Sequence, residues 1–206
     1  MKKMRLLFTL LIAAAFASLS FGQITGTAHD FSGEAWSGGE ICIACHTPHD
    51  GDMSIPGAPL WNHEVSTATF TLYTGGGTMD ATMGQPSAQS MLCLSCHDGT
   101  VALDSYGGVA GGTYLIGTDD GYVGTDLSDD HPISFTYDDA LATADGALFY
   151  PSTDLSGLGG TIDADLLFGG RVQCASCHDV HGSTGFASLL RIENAGSALC
   201  LTCHNK

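Results

Sequence analysis

Residues 41–49 read ICIACHTPH: two cysteines two residues apart, a histidine directly after the second, and a further histidine three positions on. The C-x-x-C-H portion, 42–46, recurs as CLSCH at 93–97, CASCH at 174–178 and CLTCH at 200–204, and the four copies use all eight cysteines of the chain. This is the attachment signature of c-type haem. Two sulfurs at that spacing add to the two vinyl groups on one porphyrin edge, and the next imidazole swings onto the iron. A disulfide framework, or zinc held by C-x-x-C units, would also use eight cysteines in an exported chain. Neither chemistry calls for a histidine after every second cysteine, and here one follows four times out of four. The reading is four covalent haem c groups on Cys42, Cys45, Cys93, Cys96, Cys174, Cys177, Cys200 and Cys203. His46, His97, His178 and His204 are the first axial ligands.

That reading decides the fold. With 28 glycines in 206 residues and only 14% charged side chains, the composition is that of a loop-rich chain with a weak core. Macrocycles supply the missing apolar volume and the polypeptide wraps them. The expected architecture is mostly irregular coil with a few short α-helices and minimal β, a single haem-cored domain over residues 23–206. Short helices leading into a motif are expected at 86–97 and 194–204. Brief alternating runs at 69–73 and 133–137 read as strand fragments, and GGG at 75–77 as a flexible turn. The acidic stretch DDGYVGTDLSDD, 119–130, lacks the ligand spacing of a calcium loop and reads as a solvated turn.

The chain opens MKKMRLLFTLLIAAAFASLSFG, with Lys2, Lys3 and Arg5 before an apolar run at 6–17 and small residues after it. This is an export signal over residues 1–22, cut after Gly22, with a cut after Ala17 as the alternative. A retained anchor is disfavoured because the apolar run is short for a bilayer span and no second one follows. Export agrees with haem attachment outside the bacterial cytoplasm. Removal of the signal leaves Arg171, Arg191 and Lys206 against 22 acidic side chains. So acidic a surface repels phosphate backbones, which sets nucleic-acid binding aside, and steers cationic partners.

Each iron then has one open axial position. Five histidines remain, His29, His49, His63, His131 and His181; Met53, Met79, Met83 and Met91 are the other possible ligands. Five spare imidazoles for four irons make methionine unnecessary. His49 lies three residues from His46, at most about 10–11 Å of extended backbone. That segment cannot round a flat macrocycle and return to the same iron, so His49 binds another haem or none. The same holds for His181, three residues after His178 in CHDVH. A pair that bridges two irons in this way forces two haems close together. The motifs begin at 42, 93, 174 and 200, so the last two haems are expected to be neighbours, with His181 the candidate for the fourth iron. His131 precedes Pro132, which holds it in extended backbone as a loop-borne ligand. His63 follows Leu60 and Trp61 and is the weakest candidate, suited to covering a haem edge or bonding a propionate.

The phrases HDFS (29–32), CIACHTPH (42–49), PLWNH (59–63), CLSCHDGTVAL (93–103), DDHPISF (129–135), CASCHDVHG (174–182) and ALCLTCHNK (198–206) span most of the chain. Together they resemble a family of exported bacterial multihaem c-type cytochromes, and within it the tetrahaem outer-surface cytochromes that polymerise into extracellular nanowires. The resemblance implies low-spin bis-histidine haems throughout and no substrate-binding iron. It implies that His49 reaches a haem of the adjacent subunit in a homopolymer, that His29, His131 and His181 are the distal ligands within the subunit, and that His63 is spare. Redox partner cytochromes and extracellular electron acceptors follow as partners, and the cell surface as location, with the periplasm as alternative.

Three functions fit these residues. The first is an electron conduit, in which stacked haems relay electrons along a filament and no bond chemistry is catalysed. The second is a monomeric periplasmic carrier, with His49 ligating within its own chain. The third is a multihaem reductase, which needs an iron with an open position; four complete motifs and surplus ligands argue against it.

Overall fold

The computed structural model describes residues 23–55, 57–118 and 121–206. The expected export signal at 1–22, and Asp119 and Asp120 of the acidic stretch, lie outside them. Among the described residues the chain is largely coil and turn, punctuated by five short α-helices: α1 (Ala88–His97), α2 (Asp139–Asp145), α3 (Ile162–Leu166), α4 (Cys174–Cys177) and α5 (Ala198–Cys203). Three of the five carry the cysteines of a motif. Among the described residues no helix is long and apolar enough to cross a membrane.

Each helix has a local cause. Asp138 and Thr161 cap α2 and α3, their side chains accepting from the N–H groups of Leu141 and Ala164. Helix α1 ends where Asp98 donates its N–H back to Leu94 and Cys96, and Gly99 takes φ +73. A Cβ at Gly99 would come within 2.5 Å of the Tyr122 ring, so glycine is required both for the turn and for the close approach. The last helix is shorter than its sequence pattern. Gly196 and Ser197 take φ +62 and +64, so a 3₁₀ turn at Ala195–Ser197 occupies the start of the 194–204 run.

Extended segments meet only as isolated bridges among the described residues. The runs at 69–73 and 133–137, expected as strand fragments, contribute one bridge each, Thr71 to Asp126 and Thr136 to Arg171. Turn-rich backbone on either side gives neither run a partner long enough for a ladder.

The protein core is small. Thirteen apolar side chains are buried among the described residues, and four of them are alanines. They include two separate clusters, Tyr137, Ala142, Ile162, Leu167 and Val172 in one, and Phe70, Leu94 and Leu127 in the other. Met53, Val109, Leu115 and Leu155 are more than half exposed. The polypeptide alone does not provide the apolar interior a chain of this length normally has, which fits a fold organised around haem.

Candidate haem-attachment sites

Every motif forms one helical turn. His46, His178 and His204 each donate their backbone N–H to the carbonyl of the motif's first cysteine, at 2.8, 3.0 and 3.0 Å, and His97 ends helix α1. One turn places the first cysteine and the histidine on the same face, with the second cysteine beside them. The loop following each of the first three turns is pinned. Asn62 donates to the Cys45 and Ile43 carbonyls, Val123 and Gly124 to that of His97, and Arg191 to that of Cys177.

The imidazoles are oriented by backbone carbonyls. The Nδ1 of His46 lies 3.0 Å from the Pro59 oxygen, that of His97 2.6 Å from Gly121, and that of His178 2.9 Å from Ser188. His131 does the same with Pro132 at 2.9 Å. An N–H donated from Nδ1 fixes the tautomer and leaves Nε2 as the metal-binding nitrogen, the usual arrangement behind a ligating histidine. These carbonyls carry no side-chain identity, so no sequence pattern could have singled them out.

Three imidazole pairs face one another. His29 and His97 have ring centroids 6.0 Å apart, His46 and His181 6.4 Å, and His131 and His204 6.4 Å. Two metal–nitrogen bonds of about 2 Å, plus about 1.2 Å from each nitrogen to its ring centre, span about 6.4 Å. The spacing fits one iron between each pair. His29 is held neutral, its pKa lowered to about 4 chiefly by burial and then by the neighbouring His97, His178 and His181. A neutral ring is the form that ligates.

The pairing differs from one expectation. His181, the candidate for the fourth iron, faces the first motif's His46, while His131 faces the fourth motif's His204. The reason is the course of the chain after the third motif. Asp179 donates its N–H to the Leu189 carbonyl and Gly182 lies against Thr27 and Gln23, so the 179–185 loop is carried toward the N-terminal segment.

Two of the other histidines stand apart from these pairs. His63 is 5% exposed and both its ring nitrogens meet backbone carbonyls, Nδ1 that of Glu64 at 2.8 Å and Nε2 that of Ala102 at 3.0 Å. No nitrogen is left for a metal, and its Nε2 is 3.6 Å from the Cys96 sulfur, so it packs beside an attachment position. His49 is exposed. Among the described residues no imidazole faces His49 or His178.

Neighbouring motifs touch through their cysteines. Cys93 and Cys174 lie next to one another, and burial raises the Cys96 and Cys203 thiols, with the nearby Cys45 and Cys177, respectively, raising them further. The second and third motifs are also clasped by a buried polar knot: Gln173 Oε1 accepts from Ser90 Oγ at 2.5 Å and Ser134 Oγ at 2.9 Å, while Ser90 Oγ accepts the Cys174 N–H. The sequence offered no signal for this knot, since isolated serines and a glutamine have no pattern until the fold assembles them. Buried donors without a protein partner lie beside the motifs: His29 Nδ1, Trp61 Nε1 next to His46, and Gln173 Nε2 next to Cys174. Such donors suit the carboxylates at the edge of a haem. All eight cysteines are unpaired, and no cluster of three or more metal-binding side chains converges on one point among the described residues.

A family model described as the doubled CXXCH motif matches residues 168–206, which contain the third and fourth motifs. No curated protein matches the chain. Paired C-x-x-C-H motifs indicate covalent haem c and electron transfer, as in multihaem c-type cytochromes.

Proposed function

We propose that the chain carries four haem c groups, each held between two imidazoles, and relays electrons as the subunit of an extracellular filament. Bound haem supplies a one-electron centre and a conjugated edge from which the electron can leave. The chain's residues do the rest. The cysteines fix each macrocycle edge, and the carbonyls of Pro59, Gly121 and Ser188 aim the proximal rings. His29, His181 and His131 close the second, first and fourth sites. His178 and His181, three residues apart, then draw the third and first haems together, as the contact of Cys93 with Cys174 does for the second and third.

One observation carries the filament reading. Three imidazole pairs lie within the chain and His63 has both nitrogens against carbonyls, so what remains is one proximal ring, His178, and one further ring, His49, both exposed. A chain with one unmet acceptor and one unused donor at different places is complementary to a second copy of itself. Repetition of that contact is heterologous and builds an open polymer. In this arrangement His49 completes the third haem of the neighbour, the protein is exported to the cell surface, and no bond chemistry is catalysed at iron.

Replacement of His49 by alanine tests this. The expected result is loss of filaments in electron micrographs of sheared cell-surface material, with one of four haems per chain becoming high-spin and open to carbon monoxide. A pyridine haemochrome assay should count four haems per chain before and after. Filaments unaffected by the substitution would reject the polymer contact. A wild-type protein that stays monomeric with one high-spin haem would instead point to a carrier or reductase with an open third site.

A further inference from the structure

Asp98 follows the second motif's histidine directly and is 2% exposed. Its Oδ1 accepts the Thr100 N–H at 2.7 Å and the Thr100 hydroxyl at 2.8 Å, and its Oδ2 accepts the hydroxyl of Ser66. Ser66 is itself buried and fixed by the Ser95 hydroxyl, which accepts its N–H at 2.9 Å. The carboxylate therefore sits in a built polar pocket. Among the described residues no lysine or arginine pairs with it; the one ion contact present is that of Asp179 with His181. A carboxylate out of water with hydrogen bonds but no cation is costly.

The corresponding residues of the other motifs differ. Thr47 is uncharged, Asp179 is partly open to solvent with its side chain 18% exposed, and Asn205 is exposed and uncharged. Only the second motif is followed by a fully buried acid. It lies one residue from His97, the ring that would hold the second haem's iron.

We infer that Asp98 is a potential-setting residue for the second haem: its buried carboxylate is matched by the net positive charge of the ferric haem, holds that haem oxidised, and makes its reduction the hardest of the four. The inference rests on the proposed haem at 93–97, and it assigns a fixed energetic step to one place along the relay. Reduction removes the positive charge that offsets the carboxylate, so the cost falls on the reduced state.

Potentiometric titration of the fully loaded protein tests it, followed by visible spectra, with Asp98→Asn as the variant. Asparagine keeps the size and an acceptor oxygen for Thr100 but not the charge. One of the four one-electron steps should move upward by on the order of tenfold in its reduction constant, about 59 mV for one electron. The other three should move much less, and the low-spin spectra should not change. The step should be the one that His29→Met also displaces, because His29 faces His97. Asp98→Glu should leave that step low, and Asp163→Asn, which removes an exposed acid, should shift no single step. A titration of D98N indistinguishable from wild type, or a uniform shift of all four steps, would overturn the inference. If D98N does not retain its haems, Ser66→Ala carries the test: it strips a donor from the charge, so the same step should fall, and a rise or no movement rejects the role. The underlying haem assignment fails separately, through a haemochrome count that does not drop by one when Cys93 and Cys96 are both replaced by alanine.

Discussion

The segments CHTPH at 45–49 and CHDVH at 177–181 have the same spacing and opposite fates. After the third motif, Asp179 Oδ1 accepts the His181 N–H at 3.1 Å, Oδ2 accepts the N–H and hydroxyl of Ser183, and Gly182 donates back to the Asp179 carbonyl. The loop is wound on its own aspartate, and the His181 ring is delivered to His46. After the first motif there is no such anchor. Among the described residues Thr47 is the only side chain tied to His49, through the His49 carbonyl at 2.9 Å and its N–H at 3.4 Å. Asp50 then takes φ +59, and the chain returns to pair Asp52 with Trp61, leaving His49 outside. Spacing fixes which iron a histidine cannot reach; the turn that follows decides what it meets.

That contrast can be broken from either side. The largest effect is expected from His181→Ala. It should leave the first haem with one imidazole in monomer and filament alike, so a quarter of the haem turns high-spin whatever the state of assembly. His49→Ala should give the same fraction only through loss of the neighbour contact. Adding an excess of a Cys174→Ala, Cys177→Ala chain, which lacks the third haem but keeps His49, should restore low-spin spectra to the His49→Ala protein and not to the His181→Ala protein.

Asp179→Ala comes next. It removes at least two well-formed hydrogen bonds and should cost about 1–3 kcal/mol in thermal or denaturant unfolding, with the His46 site the first to lose its low-spin signal. The pH dependence follows from the same carboxylate. Burial raises its pKa, but the bonds from Ser183 and the backbone outweigh that and hold it below the ordinary 3.8. A depressed acid stabilises the fold fully above its unfolded value and loses the contribution as pH falls through the folded one. Wild-type protein should therefore lose this increment only below about pH 4, and the Asp179→Ala protein should show no such loss in an acid titration followed at the Soret band.

The smallest effect is expected at Thr47. Its bonds are exposed, so Thr47→Ala should change stability by no more than about 0.5 kcal/mol, and filament formation should persist. A large loss of assembly from this change would mean that the 47–49 turn is preorganised for the partner.

Much of the molecule could be read from its residues. The four motifs named the attachment chemistry, and 28 glycines with few charged side chains, in a chain expected to wrap macrocycles, anticipated coil with short helices. The weak case for His63 as a ligand agrees with a ring that spends both nitrogens on carbonyls. The traffic of the other distal histidines could not be read. A 26-residue interval between the last two motifs suggested that His181 would serve the fourth, yet His131, 73 positions upstream, faces His204. Long-range pairing depends on where loops turn, and those turns rest on positive-φ residues such as Ser188, Leu189 and Ser197, which local sequence does not announce. Asp98 could be seen in the motif's wake but its burial could not, because Ser66, whose hydroxyl covers its Oδ2, comes from a separate segment 32 residues upstream.

The facing imidazoles are not equivalent in orientation: their planes lie 14° apart for His46 and His181, 56° for His29 and His97, and 77° for His131 and His204. Two parallel rings pull on the same iron d orbital and split it from its partner; two perpendicular rings pull on both and leave them nearly degenerate. If the proposed haems are held between these pairs, the first and fourth should therefore give different magnetic signatures, rhombic for the near-parallel pair and strongly axial for the near-perpendicular one. Low-temperature electron paramagnetic resonance would then distinguish those two sites without any label, and let the passage of an electron between them be followed one site at a time.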